Sequence, residues 1–142
     1  MTELGEQARL TPPETLGIRH IALKVRDLFR AESFYTSVLG YRVEWRPDAE
    51  NVYLTRDRDN LALHQEAAAS ASAPETTLDH FGIALKAPED VDAWAEHIKR
   101  AGITLQKEPK THRDGARSFY VNDPEGNTIQ FIHHPPIADA AR

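Results

Sequence analysis

Apolar and polar residues alternate along Ile18–Val25: Ile21, Leu23 and Val25 share one parity, while His20, Ala22 and Lys24 share the other. That period predicts a strand with one face on a core and His20 on the opposite face. Asp27 then stands as an N-cap before a helical stripe of Leu28, Phe34, Tyr35, Val38 and Leu39, and Gly40 follows where a helix needs a left-handed residue. A helix over 28–39 is therefore expected. Short alternating runs at 41–45, 51–56 and 61–65, separated by the turn-forming PDAE and DRDN, give the order βαβββ. After an Ala/Ser-rich stretch broken by Pro74 the order restarts. HFGIALK (80–86) alternates like the first strand, Pro88 opens a helix bearing Val91, Trp94, Ala95 and Ile98, and Gly102 closes it. Strands near ITLQKE, ARSFYVN and NTIQFIH complete a second βαβββ unit.

The internal repeat organises the chain as an N-terminal arm (1–17), a first module (18–64), a connector (65–79), a second module (80–134) and a C-terminal tail (135–142). The fold expected is α+β: two tandem βαβββ modules in one domain, forming a cup-shaped mixed sheet with helices outside. His20 and His80 hold the same place in the two modules. Counted from the turn aspartates, His64 lies seven positions after Asp57 and Gln130 seven after Asp123, which makes His64 and Gln130 equivalent. Parity turns all four away from the apolar side, so His20, His64, His80 and Gln130 are expected to line the concave face. Imidazole nitrogens with an amide oxygen suit a divalent transition metal with open positions for substrate.

Composition narrows the chemistry. The 142 residues include no cysteine, which excludes disulfides, thiolate nucleophiles and Cys-ligated metal centres. A net charge of −5 gives no footprint for wrapping nucleic acid or lying on an anionic membrane. With 40% hydrophobic residues and a mean hydropathy of −0.56, the chain reads as a well-solvated globular protein. No signal peptide or apolar run of membrane-spanning length is visible, so a cytoplasmic protein is expected. Weaker candidates for chemistry are His112 and Arg113 in the segment THRDGAR, with Arg113 or Arg117 placed to bind an anionic group. Tyr53 and Tyr120 offer phenols that could donate to a substrate oxygen, and His97 carries no expected role.

The stretches IRHIALKVRDLFRAESFYTSVLGYRV, LDHFGIALKAPEDVDAWAEHIKRAGI and ARSFYVNDPEGNTIQFI resemble the vicinal oxygen chelate superfamily, the glyoxalase/bleomycin-resistance/dioxygenase fold group. The resemblance runs from Ile18 to His133. It implies a cup around a divalent metal (Fe, Mn, Zn, Ni or Co), a small-molecule substrate chelating through two neighbouring oxygens, and a homodimer. The family's ligand positions fall here on His20, His64, His80 and Gln130. Many members carry Glu where this chain has Gln130, and no carboxylate stands at position 64 to serve as the proton-moving base of a glyoxalase I. The segment NVYLTRDRDNLALHQ looks like the matching hairpin of extradiol-dioxygenase members, which points to that branch or to a lyase or isomerase. The alternative implied is a metal-free cup that sequesters a small molecule, as bleomycin-resistance members do.

Overall fold

The computed structural model describes residues 11–12, 14–66 and 78–138. Expectations for the arm before Thr11, the middle of the connector and the chain beyond Ala138 lie outside the described residues. The first module comprises β1 (His20–Val25), α1 (Leu28–Ser33) with a π-helical turn (Phe34–Val38), β2 (Arg42–Asp48), β3 (Asn51–Thr55) and β4 (Asn60–Gln65). The second comprises β5 (Phe81–Ala84), α2 (Pro88–Arg100), β6 (Lys107–Thr111), β7 (Arg117–Asn122) and β8 (Thr128–His133), followed by a short α3 (Pro135–Ala138). Each module folds its strands into one mixed sheet, ordered β1-β4-β3-β2 and β5-β8-β7-β6. The first strand of each pairs in parallel with the last, and the remaining neighbours are antiparallel. The α+β class and the two-module layout thus stand.

Three boundaries differ from the sequence reading, each for a physical reason. The first helix turns π-helical after Ser33. There the Leu39 N–H reaches the Phe34 carbonyl five residues back at 3.3 Å, and the adjacent Phe34 and Tyr35 are both buried in the core. Gly40 then takes a φ of +81°, and a Cβ there would collide with the Arg56 guanidinium, which caps the carbonyls of Leu39 and Gly40. The second strand of the second module starts at Lys107, because Leu105 is already anchored in the core before the strand begins. Pro135 opens a helical turn where only a tail was expected.

One cluster of buried side chains spans both modules. Phe119 and Phe131 stack at 4.9 Å between ring centroids, and both are fully buried with Ile129 and Val121. Burial of each such side chain contributes about 1.5–3 kcal/mol. The modules are joined at the turn DPEGN. Asp123 accepts hydrogen bonds from the Tyr35 hydroxyl (2.6 Å) and from the backbone of Glu125 and Asn127 (2.9 and 2.8 Å). Glu125 reaches back to the start of α1, accepting from the N–H groups of Arg26 (2.9 Å) and Asp27 (3.2 Å) and from the Arg30 guanidinium (3.3 Å). His97 adds a contact of 2.8 Å to the Val38 carbonyl. No helix among the described residues is long and apolar enough to cross a membrane.

Candidate metal centre

Register decides which polar residues meet. In the β1·β4 ladder His20 lies opposite Asn60, and His64 lies opposite Lys24. His20 and His64 therefore share a face but sit four residues apart along it, about 13 Å at the rise of a strand. In the second module Gln130 lies opposite Gly82. Extending that register by two residues sets His80 against Thr128, so Gln130 is its diagonal neighbour, about 7 Å away between Cα atoms. Matching the modules on these ladders makes Ala62, not His64, the partner of Gln130. Counting from the aspartates slips by two, because Asp57 is the second residue of a four-residue connection and Asp123 the first of a five-residue one. Among the described residues no three His, Asp or Glu side chains cluster closely enough to hold a metal ion. The trio His20, His64 and His80 is thus not brought together.

His20 and His80 do line one groove, of about 860 Å³, between the two modules. Each is anchored at Nδ1 by an oxygen. Asn60 donates its amide N–H to Glu44 (2.7 Å), which turns its oxygen to His20 Nδ1 at 2.7 Å. That oxygen can only accept, so Nδ1 carries the proton and Nε2 presents a lone pair. His80 Nδ1 lies 2.6 Å from the Asp79 carboxylate, with the same consequence. His64 repeats the device: Asn51 donates to Asp48 (2.9 and 3.1 Å) and offers its oxygen to His64 Nδ1 at 2.6 Å. The Glu50 N–H and the Asn51 amide hold the Asp48 carboxyl below its ordinary range, keeping it an acceptor. A proton fixed at Nδ1 by an oxygen partner is the arrangement that supports metal-ligating histidines.

The rest of the concave face is aromatic and polar. Tyr120 lies directly opposite Gln130 on β7, edge-on to the His80 ring at 5.4 Å, with the Lys107 ammonium 5.3 Å from its ring centre. On the first module Trp45 stacks on Tyr53 at 5.3 Å, and Tyr53 meets His64 edge-on at 5.8 Å. Gln130 donates to the buried Ser118 hydroxyl at 3.1 Å, and His112 Nε2 lies 2.9 Å from the same oxygen. Arg113 lines a separate hollow of about 450 Å³ with Lys110 and His112. Arg117 has the opposite parity to Ser118 and Tyr120, and its guanidinium is held by Asp92 on α2 at 2.6 and 3.0 Å. That pairing lowers the Asp92 carboxyl and removes Arg117 from the anion-binding candidates. Sequence reading missed Asn60, Asn51 and Ser118. Asn60 stood in view as the polar residue ending DRDN with the parity of Ala62, but its pairing with His20 depends on a ladder between strands 40 residues apart.

Comparison with known proteins agrees with this architecture. Residues 17–131 match the model of the Glyoxalase/Bleomycin resistance protein/Dioxygenase superfamily. A metallothiol transferase, FosB, of Bacillus licheniformis is 27% identical over 125 residues, covering 87% of this chain and 79% of the relative. A catechol-2,3-dioxygenase of Bacillus subtilis is 27% identical over 139 residues, covering 93% of this chain, and the chain spans 46% of its length. The crystal structure of a lactoylglutathione lyase from Agrobacterium tumefaciens superposes with a TM-score of 0.71 at 25% identity, covering 87% of this chain and 96% of that one. With two βαβββ modules joined at DPEGN and a family model matched over most of its length, the chain belongs to the Glyoxalase/Bleomycin resistance protein/Dioxygenase superfamily.

Proposed function

We propose that this chain is a divalent-metal enzyme acting on a small molecule that binds through two neighbouring oxygens. The observation that carries the reading is the pair His20 and His80, which line one groove with Nδ1 held by oxygen acceptors and Nε2 free of protein partners among the described residues. Gln130 supplies the third donor through its amide oxygen, a set of two imidazoles and one oxygen that suits Fe, Mn, Zn, Ni or Co and leaves positions open. His64, at the far end of the same face, stands outside this set. A bound cation supplies Lewis-acid charge that stabilises an anionic substrate oxygen. Tyr120 donates its phenol hydrogen to a substrate oxygen beside His80, and Arg113, in the separate hollow it shares with His112, binds an anionic group. The dioxygenase relative favours a catechol-like substrate, and no carboxylate stands where a glyoxalase-type base would.

4-Nitrocatechol tests this reading, because its absorption shifts when both oxygens chelate a metal. Protein loaded with Fe²⁺ under argon and freed of excess metal is expected to give a saturable shift that metal-free protein lacks. A loaded protein that leaves the spectrum unchanged would overturn the reading.

The same reading takes the chain to be a homodimer. Among the described residues the outer edges of β1 and β5 pair with no strand, and Ile18, Leu78 and Ile137 line the groove with 97%, 47% and 52% of their surface exposed. Such a rim is unfavourable in water unless a second copy covers it. Sedimentation velocity is expected to give twice the 16.0 kDa chain mass. A single-chain mass throughout the micromolar range contradicts the dimer.

A further inference from the structure

Gln130 raises a problem that a glutamate would not. Either oxygen of a carboxylate can face a cation, whereas an amide ligates only through its oxygen and repels a cation with its NH2. The orientation of the Gln130 amide therefore decides whether it is a ligand. In the structure its Nε2 donates to Ser118 Oγ at 3.1 Å, and no donor among the described residues engages its oxygen. Ser118 is 2% exposed, so this contact is not exchanged with water. Its hydroxyl has one hydrogen and lies 2.9 Å from His112 Nε2. Oγ accepts from Gln130 and keeps its one hydrogen to give to His112 Nε2, a bond that requires the imidazole proton to stand on Nδ1. With His112 Nε2–H donating to Oγ instead, the hydroxyl hydrogen is free for the Gln130 oxygen, the arrangement in which the NH2 group turns outward.

We propose that Ser118, polarised by His112, is a positioning residue that turns the oxygen of Gln130 toward the metal site. Rows of alternating side chains make the link mechanical: Ser118 is two residues from Tyr120, the direct cross-strand neighbour of Gln130, so the amide and the hydroxyl meet diagonally on one face. His112 enters from the β6–β7 connection, which its own N–H closes on the Ala116 carbonyl at 2.7 Å. The proposal rests on the metal-site reading above and adds to it a reason why glutamine is tolerated there.

The test is a thermodynamic cycle read by calorimetric titration with Mn²⁺, using the full chain, Ser118→Ala, Gln130→Glu and the double variant. Ser118→Ala is expected to weaken Mn²⁺ binding about 10-fold, the effect of losing a residue that orients a ligand. In the Gln130→Glu background the same substitution is expected to change affinity less than ~3-fold, since a carboxylate has no wrong way round. His112→Phe probes the link without opening the buried serine site, and is expected to weaken binding in the parent but not in the Gln130→Glu background. Equal losses in both backgrounds, or no loss in either, would overturn the positioning role while leaving the metal site intact. A parent chain that takes up no Mn²⁺, Fe²⁺ or Zn²⁺ would overturn the metal-site reading, and this proposal with it.

Discussion

Replacing Glu125 by alanine is expected to lower the unfolding free energy by about 2–4 kcal/mol at neutral pH, roughly 10 °C in melting temperature. Its side chain is 4% exposed and is the acceptor for two backbone N–H groups at the start of α1 and for Arg30. Alanine would leave those N–H groups beside a cavity in the joint between the modules. The pH dependence follows from the same contacts. Burial pushes the Glu125 carboxyl up, but the N–H groups of Arg26 and Asp27 with the Arg30 guanidinium outweigh it, so the group titrates below the ordinary glutamate range. A depressed folded pKa adds stability that is complete above the unfolded value and is lost as pH falls through the folded one. Urea unfolding of the parent and of Glu125→Gln should therefore differ most near pH 7 and converge once the pH drops below the folded value. A difference that persists unchanged into that acidic range would show that the carboxylate's charge is not what joins the modules.

Much of the fold was legible because its signals are local. Parity turned His20, His64, His80 and Gln130 away from the apolar side, and the capping Asp27 and closing Gly40 bounded the first helix to within its final turn. What could not be read depended on partners distant in the chain. The alternation of β4 says which face His64 takes, not which residue of β1 it opposes, and a two-residue slip keeps parity while moving the side chain about 7 Å along the strand. Turn lengths set that slip. Arg117 was open to the same ambiguity: its charge suggested anion binding, and only the packing of α2 on the second sheet shows Asp92 waiting for it. The two carboxylate–asparagine–histidine relays were equally hidden, since Glu44 and Asp48 come from β2, whose register on β3 is interrupted by bulges. Their symmetry has a consequence. His64 carries the same anchored tautomer as His20 yet lacks a companion donor at the place of Gln130, where the first module has Ala62.

That contrast sets up the second large expected effect. His20→Ala and His80→Ala should each weaken divalent-metal binding by at least ~100-fold, more than loss of a residue that only orients a ligand, while His64→Ala should stay within ~3-fold of the parent. Neither ligand substitution removes core volume, because His20 is exposed and His80 keeps 31% of its side chain in solvent. All three variants should accordingly melt close to the parent, which separates loss of a ligand from loss of the fold. Calorimetric titration of tag-free protein with Mn²⁺, Zn²⁺ and Fe²⁺ is the measurement that meets the central claim most directly. One metal per chain in the parent and in His64→Ala, with binding lost in His20→Ala and His80→Ala, is the predicted result. Parent-like affinity in His20→Ala or His80→Ala, or loss confined to His64→Ala, would contradict it.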